Sequence, residues 1–220
     1  EVVMRSNDLR RWRQVEAFES PYGVAGGCAA ADGHFCVTPD ELHIVIGTRN
    51  PSHAFLSSTS DGVNWSKPTL MQMDEVVPYF WRIRWHEGKF YAPVNCFESE
   101  ETPRLDLVVS DDGVRWSRHA PIATGMPPGG VDEHAGYTEE SDLHWRPDGS
   151  MWCVVRAQPR SLSYCAVPPY TAWEHDLVLH EGCDAPVMCA CGDAVYLAGR
   201  CKSAASRGLH NTFSHPQSPF

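Results

Sequence analysis

The sequence predicts an all-β chain built as successive blades of a β-propeller, and three observations carry that expectation. Four tryptophans close similar short phrases: Ser6-Asn7-Asp8-Leu9-Arg10-Arg11-Trp12, Ser60-Asp61-Gly62-Val63-Asn64-Trp65, Asp111-Asp112-Gly113-Val114-Arg115-Trp116 and the divergent Pro169-Tyr170-Thr171-Ala172-Trp173. They recur after 53 residues (Trp12 to Trp65), 51 (to Trp116) and 57 (to Trp173), near the roughly 40–50-residue period of propeller blades. Glycine and proline, at 17 copies each, punctuate short apolar runs, which suits many turns and few long helices.

Taken in order, residues 42–49 read as a strand, and 54–59 as another leading into the Asp61 phrase. Residues 79–85 and 89–94 flank Glu87-Gly88, a two-residue hairpin turn. Residues 105–110 lead into the Asp112 phrase. Residues 142–145 and 151–156 flank Pro147-Asp148-Gly149-Ser150, with Pro and Gly where turn chemistry wants them. The last strand, 194–200, follows Gly192-Asp193. In each tryptophan phrase Asp folds its oxygen onto backbone N–H groups, Gly permits positive φ and Trp packs between strands. These turns identify the fold and are not its chemistry. Residues 1–200 are expected to form about four blades, part of a six-bladed ring, and 201–220 a loop or disordered tail.

Apolar residues at 42% and charged residues at 21% are those of an ordinary globular chain. The net charge of −10 argues against nucleic acid, since no basic stripe is present to neutralise phosphates. An anionic sugar demands a local arginine cluster that overcomes this field. Neither a signal-peptide pattern nor a membrane-length apolar run occurs in the sequence, so a membrane is not an expected partner. The nine cysteines form no CxxC pair, and Cys189-x-Cys191 alone is a weak metal signal. Free, buried thiols are the expectation, leaning towards a reducing compartment, and localisation stays open. Asp132-Glu133-His134 reads as a solvent-facing loop. No metal or cofactor is expected.

Arginines at corresponding strand ends are the most suggestive candidates. Arg49, Arg156 and Arg200 each follow an apolar strand, and Arg82 lies in an aromatic-rich one. A planar guanidinium binds a carboxylate through two parallel N–H···O bonds. Glu140 precedes the 142–145 strand, and the hairpin that follows brings it towards Arg156. Trp81, Trp85 and Trp145 offer apolar faces for sugar rings, or fill the core.

The Asp/Gly/Trp turns resemble the Asp-box (BNR) repeats of sialidases. More specifically, Trp81-Arg82-Ile83-Arg84-Trp85-His86-Glu87-Gly88-Lys89-Phe90-Tyr91 is similar to a segment of bacterial exo-α-sialidase-like propellers. The likeness continues through Glu140-Ser141-Asp142-Leu143, Pro147-Asp148-Gly149, Val154-Val155-Arg156, Pro168-Pro169-Tyr170-Thr171-Ala172-Trp173, Asp184-Ala185-Pro186 and Ala198-Gly199-Arg200, in order over roughly residues 40–200. It departs at Glu139, where the family has Asn, and at Cys183-Asp184-Ala185-Pro186, where it has Gly-Gly-Pro; the family's final blades are not matched.

The resemblance implies a glycoside hydrolase that cleaves a terminal acidic sugar, with some of Arg49, Arg82, Arg156 and Arg200 clamping its carboxylate and Trp81 at the sugar. It assigns Glu140 the base beside a tyrosine nucleophile. Tyr137 is the candidate for that nucleophile, with Tyr79, Tyr91 and Tyr170 also plausible by position. Asp184 is the candidate acid, with Asp74 and Asp132 as alternatives. Two other readings stay open: a non-catalytic glycan- or protein-binding propeller, and a five-bladed furanosidase-type glycosidase, which the Ser6-Asn7-Asp8-Leu9 phrase supports.

Overall fold

A computed structural model describes residues 2–18, 30–48, 53–73, 80–95, 104–125, 137–157, 161–178 and 183–201. Every regular element among them is a strand. Backbone contacts divide the chain into two compact units, residues 1–92 with 109–117 and residues 93–108 with 118–220.

The first unit opens with an antiparallel pair, β1 (Val2–Arg5) and β2 (Arg13–Ala17). A four-stranded antiparallel sheet follows in sequential order: β3 (Ala30–Val37), β4 (Leu42–Thr48), β5 (His53–Thr59) and β6 (Thr69–Leu70). The alternate side chains Ile44 and Ile46 of β4 meet Phe55 of β5, Val3 and Phe18, with Val15, Trp65 and Leu70 packed around them. Burial along β4 is continuous from His43 to Thr48, and a short apolar run of this length suits a strand covered on both faces. Next come β7 (Gln72–Met73), β8 (Arg84–His86) and β9 (Lys89–Asn95). As expected, β8 and β9 form a hairpin across Glu87-Gly88, and both turn residues take positive φ, +47° and +87°. The strand expected over 79–85 is shorter than the sequence suggests. Tyr79 lies outside the described residues, and Phe80, Trp81 and Ile83 are buried without belonging to a strand. Their apolar run signals burial, which alone does not specify a ladder.

With β10 (Arg104–Ser110) and β11 (Arg115–Thr124), these strands make a five-stranded sheet in the order β7-β11-β10-β9-β8, which supplies residues to both units. In the second unit β12 (Tyr137–Trp145), β13 (Met151–Ala157), β14 (Leu162–Ala166) and β15 (Glu174–Val178) form a sequential antiparallel sheet. Leu143, Met151, Cys153, Val155 and Leu162 are fully buried in it. A two-stranded ribbon, β16 (Cys183–Cys191) and β17 (Ala194–Cys201), follows, and β16 lies against β12.

Three of the four tryptophan phrases adopt one hydrogen-bonded turn, the divergent Pro169–Trp173 phrase excepted. Asp8 Oδ1 accepts from the N–H groups of Arg10 and Arg11, both at 2.9 Å. Asp61 Oδ1 accepts from Val63 (2.7 Å) and Asn64 (2.8 Å), and Asp112 Oδ1 from Val114 (2.8 Å) and Arg115 (2.7 Å). In the latter two, a hydroxyl two residues earlier, Thr59 or Ser110, accepts from the glycine N–H at 2.9 or 2.8 Å. The cysteines Cys36, Cys153, Cys165, Cys183, Cys189 and Cys191 are free; Cys36 and Cys153 are buried, but Cys189 and Cys191 are exposed on the ribbon. Burial pushes the Cys36 thiol up to about 11.

Candidate functional site

Two irregularities in the ladders of the second unit build the site. Between Tyr137↔Ala157 and Ser141↔Val155, residues 138–140 of β12 oppose Arg156 of β13 alone. Between Asp184↔Arg200 and Val187↔Ala198, residues 185 and 186 of β16 oppose Gly199 of β17. Such bulges re-aim side chains next to functional sites. Here they turn Glu140, Arg156, Asp184 and Arg200 onto one another. Gly199 is required by this packing, since a Cβ there would collide with the Cys183 thiol and sit 2.9 Å from the Asp184 carbonyl oxygen.

Arg156 is the hub. Its Nη1 lies 2.7 Å from Glu140 Oε1 and its Nε 3.0 Å from Asp184 Oδ1. Arg200 approaches the same glutamate from β17, with Nη2 at 3.3 Å from Oε1 and 3.4 Å from Oε2. Glu140 Oε2 also accepts from the Ala185 N–H at 2.7 Å, and Ala185 takes a φ of +53°, a strained value for a residue with a Cβ. The side chains differ in access: Asp184 is 4% exposed, Glu140 9%, Arg156 20% and Arg200 44%. Among the described residues, Glu140 is the acidic partner of Arg200. A guanidinium carries five N–H donors, so the open edge of Arg200 retains capacity for another acceptor.

Two residues that sequence reasoning did not single out hold this frame. Asp142 is fully buried; its Oδ2 accepts from the Met188 N–H at 2.7 Å and its Oδ1 from the Leu143 N–H at 2.9 Å. Its spacing of two from Glu140 on one strand was the available signal, because i and i+2 share a face. Ser161, also fully buried, accepts from the Cys183 N–H at 2.6 Å and donates to the Cys183 carbonyl at 3.0 Å, pinning the start of β16.

The other candidates are placed as follows. Arg49, Tyr79, Asp74 and Asp132 lie outside the described residues, as does the side chain of Tyr137, whose backbone pairs with Ala157. Trp81 is buried with its ring centroid 4.4 Å from that of His34, and Arg82 is half-buried beside it; both belong to the first unit. Tyr170 is buried and donates its hydroxyl to the Gly149 carbonyl at 3.0 Å, closing the β12–β13 turn. Among the described residues no group of three or more His, Cys, Asp or Glu is placed to hold a metal ion.

No protein-family model matches the chain, and no curated protein matches it. Solved structures do. A Trypanosoma rangeli sialidase, in complex with 2,3-difluorosialic acid as a covalent intermediate, aligns with a TM-score of 0.60 at 14% identity, over 87% of this chain and 36% of that one. A GH32 β-fructofuranosidase of Bombyx mori aligns at 0.56 and 15% identity, over 76% and 40%. An exo-β-1,3-galactanase from Clostridium thermocellum aligns at 0.56 and 16%, over 80% and 43%. The chain thus spans less than half the length of each of these neighbours. At such identities the likeness concerns architecture, and the fold is all-β, of the β-propeller kind.

Proposed function

We propose that this chain is part of a sialidase-like glycoside hydrolase that cleaves a terminal acidic sugar. Arg200, backed by Arg156, receives the sugar carboxylate, Glu140 assists the nucleophile and Asp184 serves as the acid. The observation that carries the reading is the meeting of two guanidiniums on Glu140, one 20% exposed and shared with Asp184, the other nearly half exposed. A buried ion pair gives little net stability over hydrophobic packing, because desolvation offsets most of the Coulomb attraction. Clusters of such groups are more often found where charge is used in chemistry. The nucleophile is assigned to Tyr137, at the start of the bulged segment that carries Glu140. A tyrosine nucleophile spares the reaction the repulsion between a carboxylate nucleophile and the substrate's own carboxylate.

A second reading, a furanosidase-type enzyme acting on neutral sugars, is favoured by one observation. Arg156 and Arg200 are matched by Glu140 and Asp184, so the cluster carries no excess positive charge for an anion. The two are separated by a screen of fluorogenic α-sialosides against arabinosides, xylosides and fructosides. Turnover of the acidic glycosides supports the first reading; turnover of neutral glycosides alone discards it in favour of the second.

A further inference from the structure

We propose that the first tryptophan turn is a second carbohydrate-binding site, one that holds an anionic sugar residue, carboxylated or sulfated, without cleaving it. Arg5, Ser6, Asn7, Asp8, Arg11, Trp12 and Arg13 line an open cavity of about 240 Å³. All belong to the first unit, and none takes part in the Glu140 cluster, so the site stands independently of the function proposed above.

This turn departs from its two sister turns in the ways a binding site needs. The position held by Gly62 (φ +71°) and Gly113 (φ +74°) is held by Leu9 at φ +59°. A left-handed conformation is strained for a residue with a Cβ, and Leu9, 79% exposed, gains no compensating burial. The tryptophans diverge as well. Trp116 is 3% exposed with its Nε1 donating to the Gly113 carbonyl at 2.8 Å, and Trp65 packs edge-on against Phe18 with centroids 5.9 Å apart. Trp12 is 54% exposed and forms a wall of the cavity.

Charge distinguishes the turn further. Arg10 and Arg11 stand where the second turn has Val63 and Asn64, and four arginines fall within residues 5–13 of a chain whose net charge is −10. The one acid of the cavity wall, Asp8, accepts through Oδ1 from the N–H groups of Arg10 and Arg11 and from the Ser6 hydroxyl at 3.2 Å. Arg5 donates to the Asp61 carbonyl at 3.3 Å. Among the described residues, no acidic side chain pairs with Arg11 or Arg13. Guanidiniums suit a carboxylate or sulfate, and an exposed indole face suits the C–H face of a pyranose ring. The global negative charge disfavours a long polyanion and leaves a single anionic sugar as the fitting ligand.

Calorimetric titration of the full chain with sialyllactose, sulfated lactose and plain lactose tests the site. At least one anionic sugar is expected to bind about tenfold or more tightly than lactose, and more weakly as salt rises. Which of the two binds names the acid group. Trp12→Ala and the double variant Arg11→Gln/Arg13→Gln should each weaken that binding about tenfold, with melting temperatures held to show that the turn persists. Arg200→Gln should leave binding of the anionic lactose at this turn intact, so failure of the hydrolase reading is visible separately. Binding equal to that of lactose, absent altogether, or indifferent to both turn variants overturns the proposal.

Discussion

Glu140 and Asp184 share one guanidinium: Arg156 holds the first through Nη1 at 2.7 Å and the second through Nε at 3.0 Å. Both carboxylates are more than nine-tenths buried, so this guanidinium supplies charge compensation that water does not.

Arg156→Met therefore leaves two buried acids beside each other. Breaking a buried pair by removing one partner costs about 3–5 kcal/mol, and urea denaturation of the variant should fall in that range. Arg156→Lys should recover part of the loss, because an ammonium restores the charge without the two-pronged geometry. A loss under about 0.5 kcal/mol, the size of an ordinary surface change, would show that the bridge does not form.

Glu140→Gln keeps an acceptor for the Ala185 N–H while removing the charge that faces both arginines. The expected result is a loss of turnover of about a hundredfold or more, with only a modest fall in stability. Parallel measurement of kcat and the thermal midpoint distinguishes this from simple unfolding; a variant that melts early and turns over normally when folded contradicts the role.

Glycine replacement separates the tryptophan turns. A Cβ at Gly113 would stand 2.8 Å from Leu56 Cδ2, a buried side chain, whereas at Gly62 the nearest atom is Arg5 Nη1 at 3.7 Å. Both sites have positive φ and so share a backbone penalty of roughly 1 kcal/mol. Gly113→Ala adds overpacking, about 1–3 kcal/mol. Chemical denaturation should rank Gly113→Ala well below Gly62→Ala, and equal losses would contradict the packing described.

The same turns predict an acid dependence. Hydrogen bonds from the N–H groups of Asn64 and Val63, then from the Asn64 amide and the Thr59 hydroxyl, hold the Asp61 carboxyl well below its ordinary 3.8. The unfolded chain thus takes up a proton before the folded one as pH falls. The turn's contribution is present above 3.8 and is lost as pH drops through the folded value. The stability gap between wild type and Asp61→Ala should narrow between about pH 5 and about pH 2. A gap constant across that window would contradict it.

Those turns were legible because their determinants are local: an Asp oxygen, a glycine and two N–H groups within four residues. Strand-end Arg156 and Arg200 and the position of Glu140 were legible as well. The hairpin also brings Glu140 towards Arg156 from the sequence alone. The joining of Asp184 and Arg200 to that pair was not legible, since it depends on the bulges at 138–140 and 185–186, and a one-residue change of register sends a side chain to the other face. Nothing in Cys183-Asp184-Ala185-Pro186 announces that a non-glycine residue will take a positive φ and offer its N–H to Glu140. The exposure of Cys189 and Cys191 was missed for a similar reason: apolar alternation in a strand does not reveal whether another layer covers it.

The most direct measurement compares kcat/KM for a fluorogenic α-sialoside between the wild-type chain and Arg200→Gln, with a neutral pentoside alongside. Acidic-sugar clamping predicts that the sialoside is turned over and that the variant loses about tenfold to a hundredfold in kcat/KM, the worth of one or two charge-assisted hydrogen bonds. Hydrolysis of the pentoside alone, or sialoside hydrolysis unchanged by the substitution, contradicts it.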